Sequence, residues 1–356
     1  MAYGISAGRP AGQVCRLLRQ VPKLLGLTVI RCEQIMPEMH RLADVGFHAG
    51  ELAVQHRAGV EAQAARLARM LEPVELDGGI ARFLAGRTFA ALTGRDDADR
   101  LWVTPLTGPP GFLNVTSLTT LEVGAVLPAG DPLHGLPAGQ QVGLVVVEFA
   151  ARRRVRINGT LIQAGPGRLV IKVEQAYGNC PQYIQQRVLI SGYRDQAGAG
   201  DVRYDNALAS EDIELIRGAD TFFLGTTHPE RGSDASHRGG PPGFVRVDGD
   251  QLWWPDYAGN NLFNSFGNLA VDPETALLFL DFTTGRTLQL TGAAEIEWGE
   301  PGRPGDDGHT GRRVRFTLQR LAAGHLLAAR QSAHSPYPRN PGLTDLGQPR
   351  TADRTR

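Results

Sequence analysis

A five-residue segment, GPPGF, occurs twice in this chain of 356 residues, and the second copy begins 132 residues after the first. The copies span Gly108 to Phe112 and Gly240 to Phe244. Neighbouring segments recur in the same order. RTFAALTG precedes the first copy as DTFFLGTT precedes the second, and downstream GLVVVEFAARRRVRINGT aligns without a gap with ALLFLDFTTGRTLQLTGA. Several matched segments at nearly one offset indicate an internal repeat, so the chain is predicted to fold as two similar units.

Each unit has the pattern of antiparallel β structure. The runs LVVVEF and LLFLDF are short, apolar and rich in branched or aromatic residues, as in strands that are buried on both faces. The runs RVRING and TLQLTG then alternate polar and apolar residues, as in strands with one face in water. Turn signals separate the runs at Asp96-Asp97, at both GPPGF segments and at Asp248-Gly249-Asp250. These patterns predict a fold that is mainly β with flanking helices (α+β), built from two small barrels.

Helical patterns precede each unit. One helix is predicted between Phe47 and Pro73, because five apolar residues recur there at helical spacing: Leu52, Val60, Ala64, Leu67 and Leu71. Ahead of the second unit, Ser210 is predicted to cap a helix over EDIELIRG, which ends at Gly218. The segment IARFLAG has the same place in the first unit.

The repeat and the composition together give a plan of the domains. With 42% apolar residues, the chain can bury a core in each of two domains. We expect, in order, a poorly ordered N-terminal extension, a first barrel with its leading helix, a helical connecting segment, a second barrel and a C-terminal tail: 1–46, 47–172, 173–212, 213–332 and 333–356.

Charge and cysteine content limit the expected partners and compartment. Basic and acidic residues are equal at 37 each, so no net field attracts the molecule to nucleic acid or to an anionic membrane. Three scattered cysteines suit neither a disulfide framework nor a structural zinc site, which favours the cytoplasm. The first 34 residues carry basic residues within their apolar part, a pattern of neither a secretory signal nor a membrane span. No metal site is predicted.

Four segments, taken in order, carry a resemblance to a known family: AYGNCPQYIQQR, DASHRGGPPGFVRV, PDYAGNNLFNSFGNLAVDP and LLFLDFTTGRTLQLTGAAEI. They resemble the flavin-nucleotide-binding proteins related to pyridoxamine 5'-phosphate oxidase, over roughly Phe47 to Arg330. The resemblance implies a split β-barrel that binds FMN where two barrels meet, usually across a homodimer. Here the tandem units are expected to supply both barrels as a pseudo-dimer. The deazaflavin F420 and haem are the alternative cofactors.

The resemblance also implies which residues hold FMN. It places two groups against the cofactor, Ser236, Arg238 and Gly239 along the flavin ring, and Asn260, Asn264, Ser265 and Asn268 towards the ribityl phosphate. Because only two residues are lysines, amides, hydroxyls and arginine forks are the side chains left for a phosphate. Arg286, which aligns with Arg153, is either a further anion ligand or a cap of its own hairpin. No catalytic residue is identified.

The first unit lacks the amide and hydroxyl groups of the second. The positions that match those four residues carry no polar side chain: Pro128, Pro132, Leu133 and Leu136. We therefore expect one FMN site per chain, with the first unit acting mainly as the partner. The run Arg152 to Arg154 is interpreted as a charged hairpin end, with phosphate binding as the alternative.

Two functions follow from flavin binding. The first is an FMN-dependent oxidoreductase that acts on a small-molecule substrate with NAD(P)H or a separate reductase as electron donor. The second is a non-catalytic flavin-binding, electron-transfer or sensor module. Pyridoxamine phosphate oxidation is not implied, since the vitamin oxidases end in Arg-Leu-x-Pro whereas Arg320-Leu321 is followed by Ala322-Ala323. A homodimer is a further expected assembly.

Overall fold

A computed structural model of the protein describes residues 46–72, 75–191 and 202–344. The predicted N-terminal extension lies outside the described residues except for Gly46, and so do the last residues of the predicted tail. Within the described ranges, no helix is both long enough and apolar enough to cross a membrane.

The described residues contain five short α-helices and one 3-10 turn outside the sheets: α1 (Ala49–Ala58), α2 (Glu61–Ala65), the 3-10 turn (Ala68–Leu71), α3 (Gly78–Ala85), α4 (Ser210–Gly218) and α5 (Asn264–Leu269). The prediction of one helix over 47–73 is wrong. Gly59 ends α1 in the left-handed conformation (φ 68°), where its N–H donates to the carbonyl groups of Gln55 and His56. Leu52, which was predicted on the apolar face, is 50% exposed.

Helices α3 and α4 have matching places, each just before the first strand of a sheet. This agrees with the prediction for IARFLAG and EDIELIRG. Ser210 is the first residue of α4 rather than its cap, because the capping position is Ala209, whose N–H donates to the Asp212 carboxylate at 2.9 Å.

The first sheet is antiparallel and has seven strands in the order β2-β1-β5-β6-β7-β4-β3. Its strands are β1 (Phe89–Arg95), β2 (Leu101–Thr107), β3 (Leu113–Ser117), β4 (Thr120–Val123), β5 (Gln141–Glu148), β6 (Arg153–Gly165) and β7 (Arg168–Asn179). Because β7 continues to Asn179, this sheet extends beyond the boundary that was expected after Lys172.

The second sheet has the same strand order as the first. Its main path is β11-β10-β14-β15-β16-β13-β12, so each strand takes the place of the strand nine numbers earlier, and β9 pairs additionally with β16. The remaining strands are β8 (Gln186–Ser191), β9 (Arg203–Asp205), β10 (Thr221–His228), β11 (Gly232–Gly239), β12 (Arg246–Asp248), β13 (Gln251–Pro255), β14 (Glu274–Leu280), β15 (Thr287–Trp298), β16 (Arg312–Gly324) and β17 (Ala329–Ser335). Strands β8 and β17 pair as a separate ribbon. The fold is mainly β with flanking helices, as predicted, and neither main path closes on itself among the described strands.

The two GPPGF segments form the same loop. In each, the phenylalanine N–H donates at 3.0 Å to the carbonyl of the first proline, and the second glycine has a positive φ, 95° at Gly111 and 88° at Gly243. Proline followed by a glycine with positive φ is the sequence that a type II turn requires. The aromatic ring then folds back over the first glycine, since a Cβ on Gly240 would lie 2.6 Å from the Phe244 ring.

Two glycines that the sequence alignment pairs, Gly159 and Gly292, lie at the same irregularity. Strand β6 shifts register against β7 at Gly159, and β15 shifts register against β16 at Gly292. A Cβ at either position would collide with a carbonyl oxygen of the facing strand, that of Lys172 or Thr317. Both bulges therefore require glycine.

Apolar side chains form one core in each sheet and a third core between the sheets. The third includes Phe89 and Val145 from the first sheet, and Phe223 and Leu278 from the second. Since neighbouring residues of β5 and β14 enter the other two cores, these strands are buried on both faces, as predicted. Each fully buried side chain of this size contributes about 1.5–3 kcal/mol.

Arg187, in β8, ties the connecting segment to both sheets. Its guanidinium carbon lies 5.3 Å from the ring centre of Phe149 and 4.1 Å from that of Phe282, two residues that the repeat alignment pairs. Its Nη2 donates to the Asp220 carboxylate at 2.6 Å. The side chain is 3% exposed, so this ion pair is part of the junction between the sheets.

Candidate functional site

One cavity lies where β6 and β7 of the first sheet meet β11 of the second sheet and helix α5. Its volume is about 110 Å³, several times what one water molecule requires. Among the described residues, four arginines and one carboxylate line it: Arg154, Arg156, Arg238 and Arg312, and Asp256. The lining is therefore electropositive, although the whole chain carries no net charge.

Arg156, on β6, is the centre of the polar contacts between the two sheets. Its guanidinium forms an ion pair with Asp234 at 3.1 Å and donates to Ser236 Oγ at 2.7 Å and to Asn264 Oδ1 at 2.8 Å. Its side chain is 11% exposed and that of Asp234 is 2% exposed. Strand β6 thus supplies the cation, while β11 and α5 supply its acceptors.

Arg154 lies two residues earlier on the same face of β6 and contacts His237 instead of a carboxylate. Its Nη1 donates to His237 Nδ1 at 3.0 Å and to the His237 carbonyl oxygen at 3.1 Å. Burial and the neighbouring Arg156 lower the pKa of Arg154 to about 9, so it is still charged at neutral pH. Burial and Arg154 hold the pKa of His237 well below its usual range.

Four buried polar atoms of the cavity residues have no hydrogen-bond partner among the described residues: Arg154 Nε, Arg238 Nε, His237 Nε2 and Tyr257 Oη. Because His237 Nδ1 accepts from Arg154, its Nε2 carries the proton and is a free donor. Buried donors without partners are costly, so this group is suited to an anionic ligand that accepts from them.

Aromatic side chains form the apolar part of the wall. Phe244 comes from the second GPPGF loop, Trp254 from β13 and Phe266 from α5, and the Arg238 guanidinium lies 5.7 Å from the Phe266 ring centre. Tyr183 enters from the connecting segment with a positive φ of 62° and packs against Tyr257 at 5.0 Å between ring centres. These flat surfaces are suited to a planar ring.

Six of the eight predicted cofactor residues line this cavity: Ser236, Arg238, Gly239, Asn260, Asn264 and Ser265. The structure does not bring Asn268 and Arg286 to it. Asn268 donates to Thr226 Oγ1 at 3.0 Å behind the cavity. The Arg286 side chain forms ion pairs with Glu211 and Asp212 of α4, so it contacts this helix and neither lines the cavity nor caps its own hairpin.

The amides and hydroxyls of the cavity already have partners in the protein. Asn260 Nδ2 donates to Asn179 Oδ1 at 2.8 Å, and Ser265 Oγ donates to Asp234 at 3.3 Å. The glycines also serve packing, because a Cβ on Gly239 would collide with the Tyr183 carbonyl oxygen. The place of Gly239 along the flavin ring, which the resemblance implies, is therefore not needed to explain this glycine. Unpartnered buried atoms remain instead on Arg154, Arg238, His237 and Tyr257, among the described residues.

Sequence reasoning missed the two arginines of β6 that line the cavity, Arg154 and Arg156. The run 152–154 was interpreted as a hairpin end, which suits Arg152 in the turn (φ 50°) and Arg153 with its 65% exposed side chain. It does not suit Arg154. The alternation of side chains along a strand was the available signal, because it places Arg154 and Arg156 on one face, towards the second sheet.

The repeat predicts a second region equivalent to the cavity on the other side of the junction between the sheets, and side chains of the protein fill it. Gln289 occupies the position in β15 that corresponds to Arg156 in β6. Arg156 pairs with Val145 of the neighbouring strand, and Gln289 pairs with Leu278, the residue that the repeat alignment matches to Val145. Gln289 donates to the Val103 carbonyl at 3.1 Å and to Asp131 at 3.4 Å.

Asp131 is itself fully enclosed in that place. It accepts a hydrogen bond from Thr104, the counterpart of Ser236, and burial raises its pKa to about 6. Leu133 and Leu136 belong to the core of the first sheet.

Cys180 lines the cavity and donates to Gln182 Oε1 at 3.2 Å. Within the described ranges, no three His, Cys, Asp or Glu side chains are grouped so that they could hold a metal ion.

Residues 210–303 match the family model described as pyridoxamine 5'-phosphate oxidase, over a stretch that begins with α4 and ends just after β15. The family resemblance of the sequence is thereby confirmed. Curated proteins gave no significant match.

Three solved structures illustrate the structural likeness. They are HupZ from Group A Streptococcus (13% identity, 34% of this chain and 97% of that chain, TM-score 0.28), a Clostridium acetobutylicum protein related to general stress protein 26 (15%, 34% and 90%, 0.25) and the heme storage protein HutZ from Vibrio cholerae (15%, 33% and 96%, 0.25). Each covers about one third of this chain.

Proposed function

Through residues 210–303 the chain is related to the pyridoxamine 5'-phosphate oxidase family, and on this premise we propose that it binds one flavin nucleotide, FMN, in the cavity between its sheets. The observation that carries the proposal is the set of buried donors on Arg154, Arg238 and His237 that lack partners in an electropositive, aromatic-walled cavity. A phosphate supplies acceptors for such donors, and a flavin ring covers aromatic surface.

We propose different roles for the residues than the sequence suggested. Arg154 and Arg238 hold the phosphate, since their guanidinium groups keep free donors. Arg156, Ser236 and Asn264 hold the two sheets in register and fix the shape of the cavity. The aromatic side chains of the cavity wall exclude water from the face of the flavin ring.

The matched strand orders support a tandem pair of split barrels that forms a pseudo-dimer within one chain. The filled place around Gln289 and Asp131 supports a single cofactor site. We therefore propose one FMN per chain. Association of two chains into a homodimer and a cytoplasmic location remain expectations from the sequence.

The cofactor supplies hydride and electron transfer, for which no acid or base from the protein is required. We propose an oxidoreductase that uses a small-molecule substrate and NAD(P)H or a separate reductase. The alternative is a carrier or sensor of flavin without turnover. Rapid reduction of the bound chromophore by NADH or NADPH under anaerobic conditions supports the enzyme, and reduction only through an added reductase supports the module.

Purified protein is expected to be yellow and to release FMN at about one per chain. After removal of the chromophore, R154Q and R238Q are each expected to weaken FMN binding about 10- to 100-fold, because a hydrogen bond to a charged group contributes about 1.5–3 kcal/mol. Fluorescence quenching of added FMN measures the affinity, and circular dichroism checks the fold.

R153Q is the matched control, because Arg153 is the exposed neighbour of Arg154 on the same strand. Its affinity for FMN should equal that of the unmodified protein. A colourless protein that does not bind added FMN contradicts the proposal. Release of haem or F420 would keep the cavity as a cofactor site and replace FMN.

A further inference from the structure

Helix α1 belongs to neither sheet, yet it packs directly behind the cavity. Two glycines allow this close approach to α5. A Cβ on Gly50 would collide with the Gly267 carbonyl oxygen, and a Cβ on Gly267 would collide with the side chain of Glu51. The crossing of the helices therefore presses Glu51 against the segment that lines the cavity.

Glu51 is 2% exposed and connects to the cavity through one side chain. Its carboxylate accepts from the His48 N–H at 2.9 Å and from Asn264 Nδ2 at 3.3 Å. The other end of the same amide, Asn264 Oδ1, accepts from Arg156 at 2.8 Å. A change of charge at Glu51 is thus two hydrogen bonds away from the central arginine of the site.

The charged or titratable groups that interact with Glu51 or with its neighbour His48 come from five elements: His48 before α1, Arg156 in β6, Tyr177 in β7, His228 at the end of β10 with Arg231 in the following turn, and Asp234 in β11. Helix α5 contributes the uncharged amide of Asn264 to Glu51. Burial lowers the pKa of both histidines, to about 4 for His48, so both are neutral at pH 7. The negative charge of Asp234 disfavours ionisation of Glu51, whereas the positive charge of Arg231 favours it.

Burial dominates this balance and raises the pKa of Glu51 to about 7. The carboxyl group is therefore close to half protonated at neutral pH, which is unusual for glutamate.

A small chamber beside Glu51 gives protons access. Its volume is about 20 Å³, enough for one water molecule, and its lining includes the exposed Gly46. Three buried atoms around it have no partner among the described residues: His48 Nε2, Asn158 Oδ1 and Asn268 Oδ1. A water molecule in the chamber can accept from the first and donate to the other two.

We propose that Glu51 takes up one proton from solvent when an anion enters the arginine-lined cavity, and releases it when the anion leaves. The proposal rests on the proposed anion binding at this cavity. A negative charge beside Arg156 makes ionised Glu51 less stable, so its O–H bond forms as the anion binds. Glu51 is then a positioning residue that acts through Asn264, not a group that touches the ligand.

The sign of the pH dependence follows. Well below pH 7 Glu51 is already protonated, and binding takes up no proton there. Above pH 7 binding must draw a proton from solvent, so the affinity for an anion of constant charge falls as pH rises, until the pH exceeds the pKa of the bound state. For an upward shift of about one pKa unit, the affinity falls about tenfold in total.

Calorimetric titration with FMN at pH 7.5, in buffers of different ionisation enthalpy, counts the protons taken up. At this pH Arg154 remains protonated and does not contribute. FMN has its own phosphate proton, so the quantity to compare is the difference between variants. The unmodified protein is expected to take up about half a proton more per FMN than E51Q. E61Q is the control, because Glu61 is an exposed glutamate on the neighbouring helix, and it should match the unmodified protein.

Sulfate, whose charge is constant from pH 5 to pH 9, is the second probe, and E51Q is again the reference because His237 also lines the cavity. The unmodified protein should take up protons with sulfate at pH 7.5 and none at pH 5.

Equal proton counts in the unmodified protein and E51Q, with FMN bound to both, overturn the role of Glu51 and leave the flavin proposal intact. If FMN does not bind, the flavin proposal fails and sulfate decides about Glu51. If neither anion binds, or sulfate binds without proton uptake, the inference is wrong.

Discussion

Replacing Arg156 by methionine is expected to lower the free energy of unfolding by about 3–5 kcal/mol, the usual cost of removing one partner of a buried ion pair. Asp234 would remain 2% exposed without its cation, with only hydrogen bonds from Asn158 at 3.4 Å and Ser265 at 3.3 Å. Urea denaturation monitored by tryptophan fluorescence measures the change. FMN binding should be lost as well, since β6 and β11 lose the ion pair that joins them beside the cavity.

The double variant R156M/D234N separates the buried charge from the loss of packing. Asparagine keeps the polar contacts of Asp234 without its charge, so this variant should regain at least half of the lost stability. R153M is the surface control, because the Arg153 pair with Glu148 is 3.9 Å long and mostly exposed, and such pairs contribute about 0–1 kcal/mol. If R156M is no less stable than R153M, Arg156 does not hold the sheets together.

The second large effect is expected from Gly143, in β5, where the backbone of the second sheet comes closest. A Cβ at this position would lie 2.6 Å from Asp234 Cα and 2.7 Å from the Ala235 nitrogen. Since these are backbone atoms, no side-chain rotation relieves the collision. G143A should therefore destabilise the protein by about 3 kcal/mol, at the upper end of the usual cost of overpacking.

G143A should also weaken FMN binding at least tenfold, because β11 carries Ser236, His237 and Arg238 into the cavity. G178A is the matched control. Gly178 is also a strand glycine, but a Cβ there meets no atom within 4 Å, so the change in stability should stay within about 0.5 kcal/mol. Thermal denaturation and FMN titration of both variants test this prediction, and equal behaviour of the two would contradict the close contact at Gly143.

The sequence allowed the strand content and the matched order of strands to be anticipated, because both depend on local patterns. The two GPPGF loops and the glycine pair 159 and 292 mark the same turn and the same bulge in each sheet. The apolar spacing over 47–73 predicts one helix, but a single glycine within this segment ends it. Gly59 ends α1, and Leu52 faces solvent.

The site was harder to predict, because its central groups come from opposite halves of the chain. Arg156 contacts Asp234, 78 residues away, and Arg154 contacts His237, 83 residues away. Polar groups within one segment, such as Asn260 and Ser265, were found by their composition, but their partners in the protein are visible only in the fold. Glu51 carried no signal, since its burial depends on the approach of Gly50 to Gly267.

The difference between positions 156 and 289 has a consequence for how such a protein can evolve. When two identical subunits build the sites at their shared boundary, a substitution in the gene alters both sites at once. Here the two halves share one chain, so Arg156 and Gln289 are separate codons at equivalent places. One place can be given over to stability, with Gln289 tied to the Val103 carbonyl, while the other keeps its guanidinium groups for a ligand. Selection can then act on the two independently.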